Sequence, residues 1–196
     1  MKKIIALLLA LSMMAAFAGC NNAKAPETTE GTKPVETTTE PAPAVASALE
    51  ILQTVWGQFG DAEKFPVMGG DYEAMVSDAP GAVKDTGFMN GTLLVPEAEL
   101  ANVTEAAALV HGMMLNNFTC GAFKVTDAAA FAETMHTAIA NNPWMCGMPE
   151  KMVIATIGNE YVVALFGVND AVNPFETKLT TAYPTAVLVY SEAITG

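Results

Sequence analysis

Two cysteines, two histidines and a surplus of carboxylates carry most of the chemistry this sequence could offer. Cys120 and Cys146 admit two readings: a disulfide between a strand and the loop before the next strand, or two buried thiols packed as small hydrophobes. A bridge requires their Cα atoms to lie within about 7 Å. Met145-Cys146-Gly147-Met148, with Met152 nearby, supplies soft thioether and thiolate donors of the kind that select Cu(I). His111 and His136 are expected on helices and would be the nitrogen ligands, or the bases of a Cys-His pair with Cys120. Core packing explains the methionines more simply, because Met135 and Met114 fall on apolar helical stripes. Acidic pairs such as Glu97/Glu99 fit glycosidase chemistry in type, yet among 21 acids some pair meets any spacing. Beyond residue 20 only Ser47, Ser77 and Ser191 offer a serine hydroxyl, none in a nucleophile elbow. His-Glu-x-x-His and EF-hand patterns are absent, so no catalytic residue, metal site or cofactor is assigned.

The third cysteine has a different setting. Lys2 and Lys3 precede an uncharged run that is shorter than the roughly 20 residues of a spanning helix. The run ends in Phe17-Ala18-Gly19-Cys20, which resembles the lipobox of bacterial lipoproteins, with Phe17 where Leu is usual. The resemblance implies a signal peptide over 1–19, cleavage before Cys20 and lipid on that cysteine. One acyl chain binds a membrane only marginally, so stable anchoring takes two or more.

Residues 20–44 follow as the lipidated cysteine and a linker of Thr, Pro, Glu, Ala, Asn and Lys, with Val35 its one large aliphatic residue. Such a segment cannot bury enough apolar surface to offset the entropy of ordering. Its prolines favour an extended tether reaching on the order of 70 Å.

Residues 45–196 are long enough for one domain with a proper core. The chain has nine lysines, no arginine, 21 acidic residues and a net charge of −12. That balance repels nucleic acid and anionic lipid. Without arginine, the usual bidentate partner for phosphate and carboxylate, multiply anionic ligands are poor candidates.

Ser47 and Glu50 form a capping-box signature before Leu49, Leu52, Val55, Trp56 and Phe59, which predicts a helix over 47–59. Loop is expected over 60–70, a short helix over 71–77 and a weak strand over 88–95. Asn102 and Glu105 flag a second helix carrying Ala107, Val110 and Met114. Strand 118–125 and a helix capped by Thr126-Asp127, with Phe131, Met135, Ala138 and Ile139 inward, come next. Strands 151–157 and 161–168 form a hairpin around Gly158-Asn159. A helix starting at Asn173-Pro174 leads to a strand over 185–190. The expected fold is α+β: a two-layer sandwich in the ferredoxin-like βαββαβ arrangement, with extra N-terminal helices.

Asn117-Phe118-Thr119-Cys120-Gly121-Ala122-Phe123, Trp144-Met145-Cys146-Gly147 and Gly158-Asn159-Glu160-Tyr161-Val162-Val163 resemble clostridial surface lipoproteins that carry a domain of unknown function. The likeness spans residues 45–192. It implies a Gram-positive gut bacterium as source and an anaerobic setting that favours free thiols, and it supplies no activity.

The function expected is that of a lipoprotein on the outer face of the cell membrane. Its domain would bind a cell-envelope protein, a peptide or a neutral ligand, with no nucleic-acid partner. The competing class is a cell-wall or glycan hydrolase using carboxylates or Cys120. Replacing Cys20→Ser is expected to move the protein from the membrane fraction to the medium, or to leave an uncleaved precursor. Fractionation and mass measurement check this; unchanged membrane association of a mature-length chain counts against the lipobox.

Overall fold

Local signals fix several elements. Ser47 Oγ accepts from Glu50 N at 3.1 Å and starts helix α1, Ala48–Trp56. Its buried residues Ala48, Ile51, Leu52, Val55 and Trp56 form one helical stripe. Asp127 Oδ1 accepts from Ala130 N at 3.1 Å and starts α3, Ala128–Ala140, which buries Phe131, Ala132, Met135 and Ile139. The computed structural model describes residues 45–195; Cys20 and the expected tether lie outside the described residues.

Among the described residues the strands are β1 Val67–Gly69, β2 Val76–Ser77, β3 Gly81–Val83, β4 Val103–His111, β5 Phe118–Val125, β6 Lys151–Ile157, β7 Tyr161–Gly167 and β8 Val187–Ala193. Helices α2, Thr86–Gly91, and α4, Asn169–Ala182, complete the set. The fold is α+β, with one eight-stranded antiparallel sheet in the order β2-β1-β4-β5-β7-β6-β8. Strand β3 pairs β4 at Ala106 to Ala108, and β1 pairs it at Leu109 to His111, so the two share one edge of β4.

The sheet departs from the ferredoxin-like order. The β5–α3–β6 crossover brackets β7 as expected, but β8 pairs with β6 and does not lie beside β5. That place is taken by β4. Both crossovers therefore step two strands in the same direction, although β5 and β7 run antiparallel. Right-handed connections drawn that way place their helices on opposite faces. The core divides accordingly. Helices α1 and α4 pack on Leu109, Phe118, Cys120, Val153, Val163 and Leu165. Helices α2 and α3 pack on Val110, Phe123, Met152, Ile154, Val162 and Phe166. The domain has three layers where two were expected.

Two-sided burial explains the largest misreading. The segment expected as a second helix over 102–114 is strand β4, preceded by a 3-10 turn, Glu97–Asn102. Ala106 to Val110 are all buried, because alternate side chains meet helices on both faces. A continuous apolar run has no period by which to tell strand from helix. His111 consequently ends a strand.

Residues 71–77 form no helix. The weak strand expected over 88–95 is helix α2, capped by Asp85 Oδ1 accepting from Phe88 N at 2.5 Å. Helix α4 begins at Asn169, leaving Pro174 inside it, because Glu150 Oε2 caps Asn169 N at 2.8 Å from a distant segment.

Ile51 on α1 and Ile139 on α3 are fully buried on opposite faces. Each Ile→Val change is expected to cost about 1 kcal/mol. In urea unfolding the double variant is expected to equal the sum within about 0.5 kcal/mol. Larger coupling contradicts the separation of the two cores by the sheet.

Candidate functional site

The site is built at the end of the sheet where β4 stops and β1 begins. Asp71, 3% exposed, organises the chain around it. Its Oδ1 accepts from Glu73 N and Ala74 N at 3.2 Å; its Oδ2 accepts from Lys84 N at 2.6 Å and Asp85 N at 3.0 Å. The bonds from Lys84 and Asp85 do most to hold the carboxyl below its ordinary range, against the opposing effect of burial. Gly69 lets two backbones cross, since a Cβ there would stand 2.2 Å from Gly81 N.

These contacts leave a cavity of about 220 Å³. Met68, Met75, Phe88, Val110, Met113 and Leu115 supply apolar walls, and Tyr72 Oη meets Thr92 Oγ1 at 3.4 Å on its rim. No lining residue is acidic.

His111 is its main polar group. The ring stacks on Phe65 at 5.9 Å and 13°, and Phe65 packs edge-on against Trp56 and Phe118. Nδ1 accepts from Met113 N and Met114 N, both at 3.2 Å. With that lone pair occupied, a neutral ring carries its proton on Nε2. His111 lines the cavity, and in this tautomer its Nε2 carries an N–H donor while neither ring nitrogen keeps a free lone pair for a metal.

The residues singled out in the sequence fall apart in space. Cys120 lies at 0% exposure in the α1/α4 layer, and burial pushes its thiol well up. Cys146 is exposed in the loop before β6, with φ of 62°. Both are free thiols, so the bridge is not formed. His136 stacks on Tyr190 at 3.9 Å, and its Nε2 lies 2.7 Å from Glu192 Oε1. Met152 is core, whereas Met145 and Met148 face solvent. Glu99 bonds Asn102 Nδ2 at 2.7 Å on an exposed turn. Among the described residues no group of three His, Cys, Asp or Glu can hold a metal ion.

Sequence reasoning missed the cavity, Asp71 and Tyr72. Gly69-Gly70-Asp71 and Pro80-Gly81 were the available signal, as turn punctuation around a short segment.

The surroundings of the cavity are unusual. Eight of the eleven exposed large apolar side chains among the described residues belong to segments at this end of the sheet: Tyr72, Met75, Val76, Met113, Met114, Leu115, Met145 and Met148. Asn116 Nδ2 joins two of these segments by donating to Met145 O at 2.9 Å and Gly147 O at 2.5 Å. Val45 lies at the opposite end, beside the β6–β7 turn at Gly158 and Asn159. A seven-residue strand separates the two ends by roughly 23 Å. No protein-family model, curated protein or solved structure matches the chain.

Apart from Cys20, a thiol reagent is expected to titrate one cysteine in the native chain and a second only after denaturation. No titratable thiol in denaturant would establish a bridge. Asp71→Asn keeps one acceptor oxygen for two of the four backbone donors, turns an NH2 group toward the other two, and is expected to cost about 1–3 kcal/mol at neutral pH. The native carboxyl is depressed, so its contribution is present above the ordinary carboxylate range and lost as pH falls through the depressed value. Urea titrations from neutral to acid pH should show the gap between the two proteins closing. A constant gap contradicts this assignment.

Proposed function

We propose that this chain is a lipoprotein held by Cys20 on the outer face of the cell membrane, and that its domain is a binding module of the cell envelope. The Lys2-Lys3 start, the apolar run and Phe17-Ala18-Gly19-Cys20 support the anchor. The cavity beside His111 supports binding: apolar walls around one fixed donor, with no acid.

This arrangement favours a ligand with an apolar group and a neutral hydrogen-bond acceptor. At about 220 Å³ the cavity is smaller than the 300–1,000 Å³ typical of drug-sized ligands, so it suits a single side chain or comparable group. A peptide presents both parts, an apolar side chain and backbone carbonyls. The buried Cys120 thiol and the solvated Glu97/Glu99 pair give the hydrolase reading no such support.

N-acetyl-leucinamide is a suitable probe. Its titration, followed by amide chemical shifts, is expected to perturb residues 68–75 and 110–115 at millimolar concentration. His111→Phe should keep the fold and weaken the response severalfold by removing the donor. Shifts confined to other regions, or an unaltered response in His111→Phe, overturn the assignment.

A further inference from the structure

We infer that the methionine-rich end of the sheet is a docking surface for a cationic amphipathic helix. The inference rests on the binding-module reading and names the class of partner. Its first support is continuity. Met113 lines the cavity, and the next segment reaches Met145 and Gly147 through the Asn116 amide. Met113 is 84% exposed and Met145 79%. Exposed large apolar side chains gathered at one end of a domain point to an interaction site. Unbranched thioether side chains adapt to the side chains of an incoming partner.

The second support is charge. Glu73 and Asp78 flank Met75 and Val76, and Glu150 follows Met148 and Pro149; all three acids are exposed. Lys151, at the same end, is already engaged by Glu176 Oε2 at 2.6 Å. The chain has no arginine and a net charge of −12. A partner with apolar residues bordered by lysine or arginine complements this surface.

The third support is the state of the backbone. The nearest sheet edge, β2, has two residues, too few to pair an added strand. A segment lying across three loops must satisfy its own peptide groups, and a helix does so. A helix ending at the cavity would also present unpaired last-turn carbonyls to His111 Nε2–H. The surface lies at the end of the domain away from Val45, where residues 20–44 join the domain, so a tether attached there does not cover it.

The test uses the full chain carrying Cys20→Ser and an 18-residue leucine–lysine peptide with helical periodicity. Controls are a scrambled peptide of the same composition and a leucine–glutamate peptide. Calorimetry is expected to show binding of the periodic cationic peptide with a negative heat-capacity change, weakened by added salt. The double variant Met113→Asn/Met145→Asn is expected to reduce affinity about tenfold, whereas Val187→Asn on β8 leaves it unchanged. Equal binding of the scrambled or acidic peptide overturns the inference, as does indifference to the methionine changes. A dimer in sedimentation that the double variant dissociates would assign the surface to a second copy, overturning it too. N-acetyl-leucinamide titrated in parallel separates the failures. Loss of peptide binding with retained amide binding sinks the docking surface alone, and loss of both sinks the cavity reading as well.

Discussion

Occupation of one strand edge governs this structure. Strand β4 takes the free side of β5, so the chain leaving β7 has to carry its last strand beyond β6. With right-handed crossovers, α3 and α4 then fall on opposite faces. Every central strand is covered twice, and its side chains are apolar in both directions: all seven residues of β7 are buried. The small residues Ala106, Ala107 and Ala108 let helical layers approach β4 from both sides. Had β8 paired with β5, the second layer would have been unnecessary and the alternation along each strand would have been visible.

Elements whose cause is local were legible in the sequence. Ser47, Asp127 and the Gly158-Asn159 turn each act over a few residues, and the elements beside them stand where the pattern put them. Elements whose cause is distant were not. Glu150 starts α4, although it lies 19 residues before Asn169. The two acceptor oxygens of Asp71 join backbone donors up to 14 residues away, so the cavity wall has no short-range signature. His111 and the methionines were visible as types, but their convergence depends on β4 ending at the side of the sheet where β1 and β6 begin.

The chemistry divides in the same way. Cys120 was a credible nucleophile or disulfide partner by type, and its strand alternation turned it to the core beside Phe118 and Ala122. A thiol there is uncharged and out of reach, so it acts as a packing group. His111 is held by aromatic stacking on one side and two backbone amides on another, which leaves only a donor to offer. The site is thus suited to recognition, and the proposed anchor at Cys20 would give that recognition a fixed address at the cell surface.

The last strand solves a separate problem. Val187, Leu188 and Val189 are exposed on β8, whose outer edge has no partner among the described strands. A long, flat, apolar edge is a template for fibrous assembly. Here Tyr190 faces Ile154 and Leu188 faces Ala155, so Val189 is an extra residue and the ladder loses register at that point. A bulge of this kind increases local twist and interrupts a flat pairing surface. Crowded copies side by side would therefore meet a kinked edge, and the same bulge that breaks the ladder within one molecule discourages sheet growth between molecules.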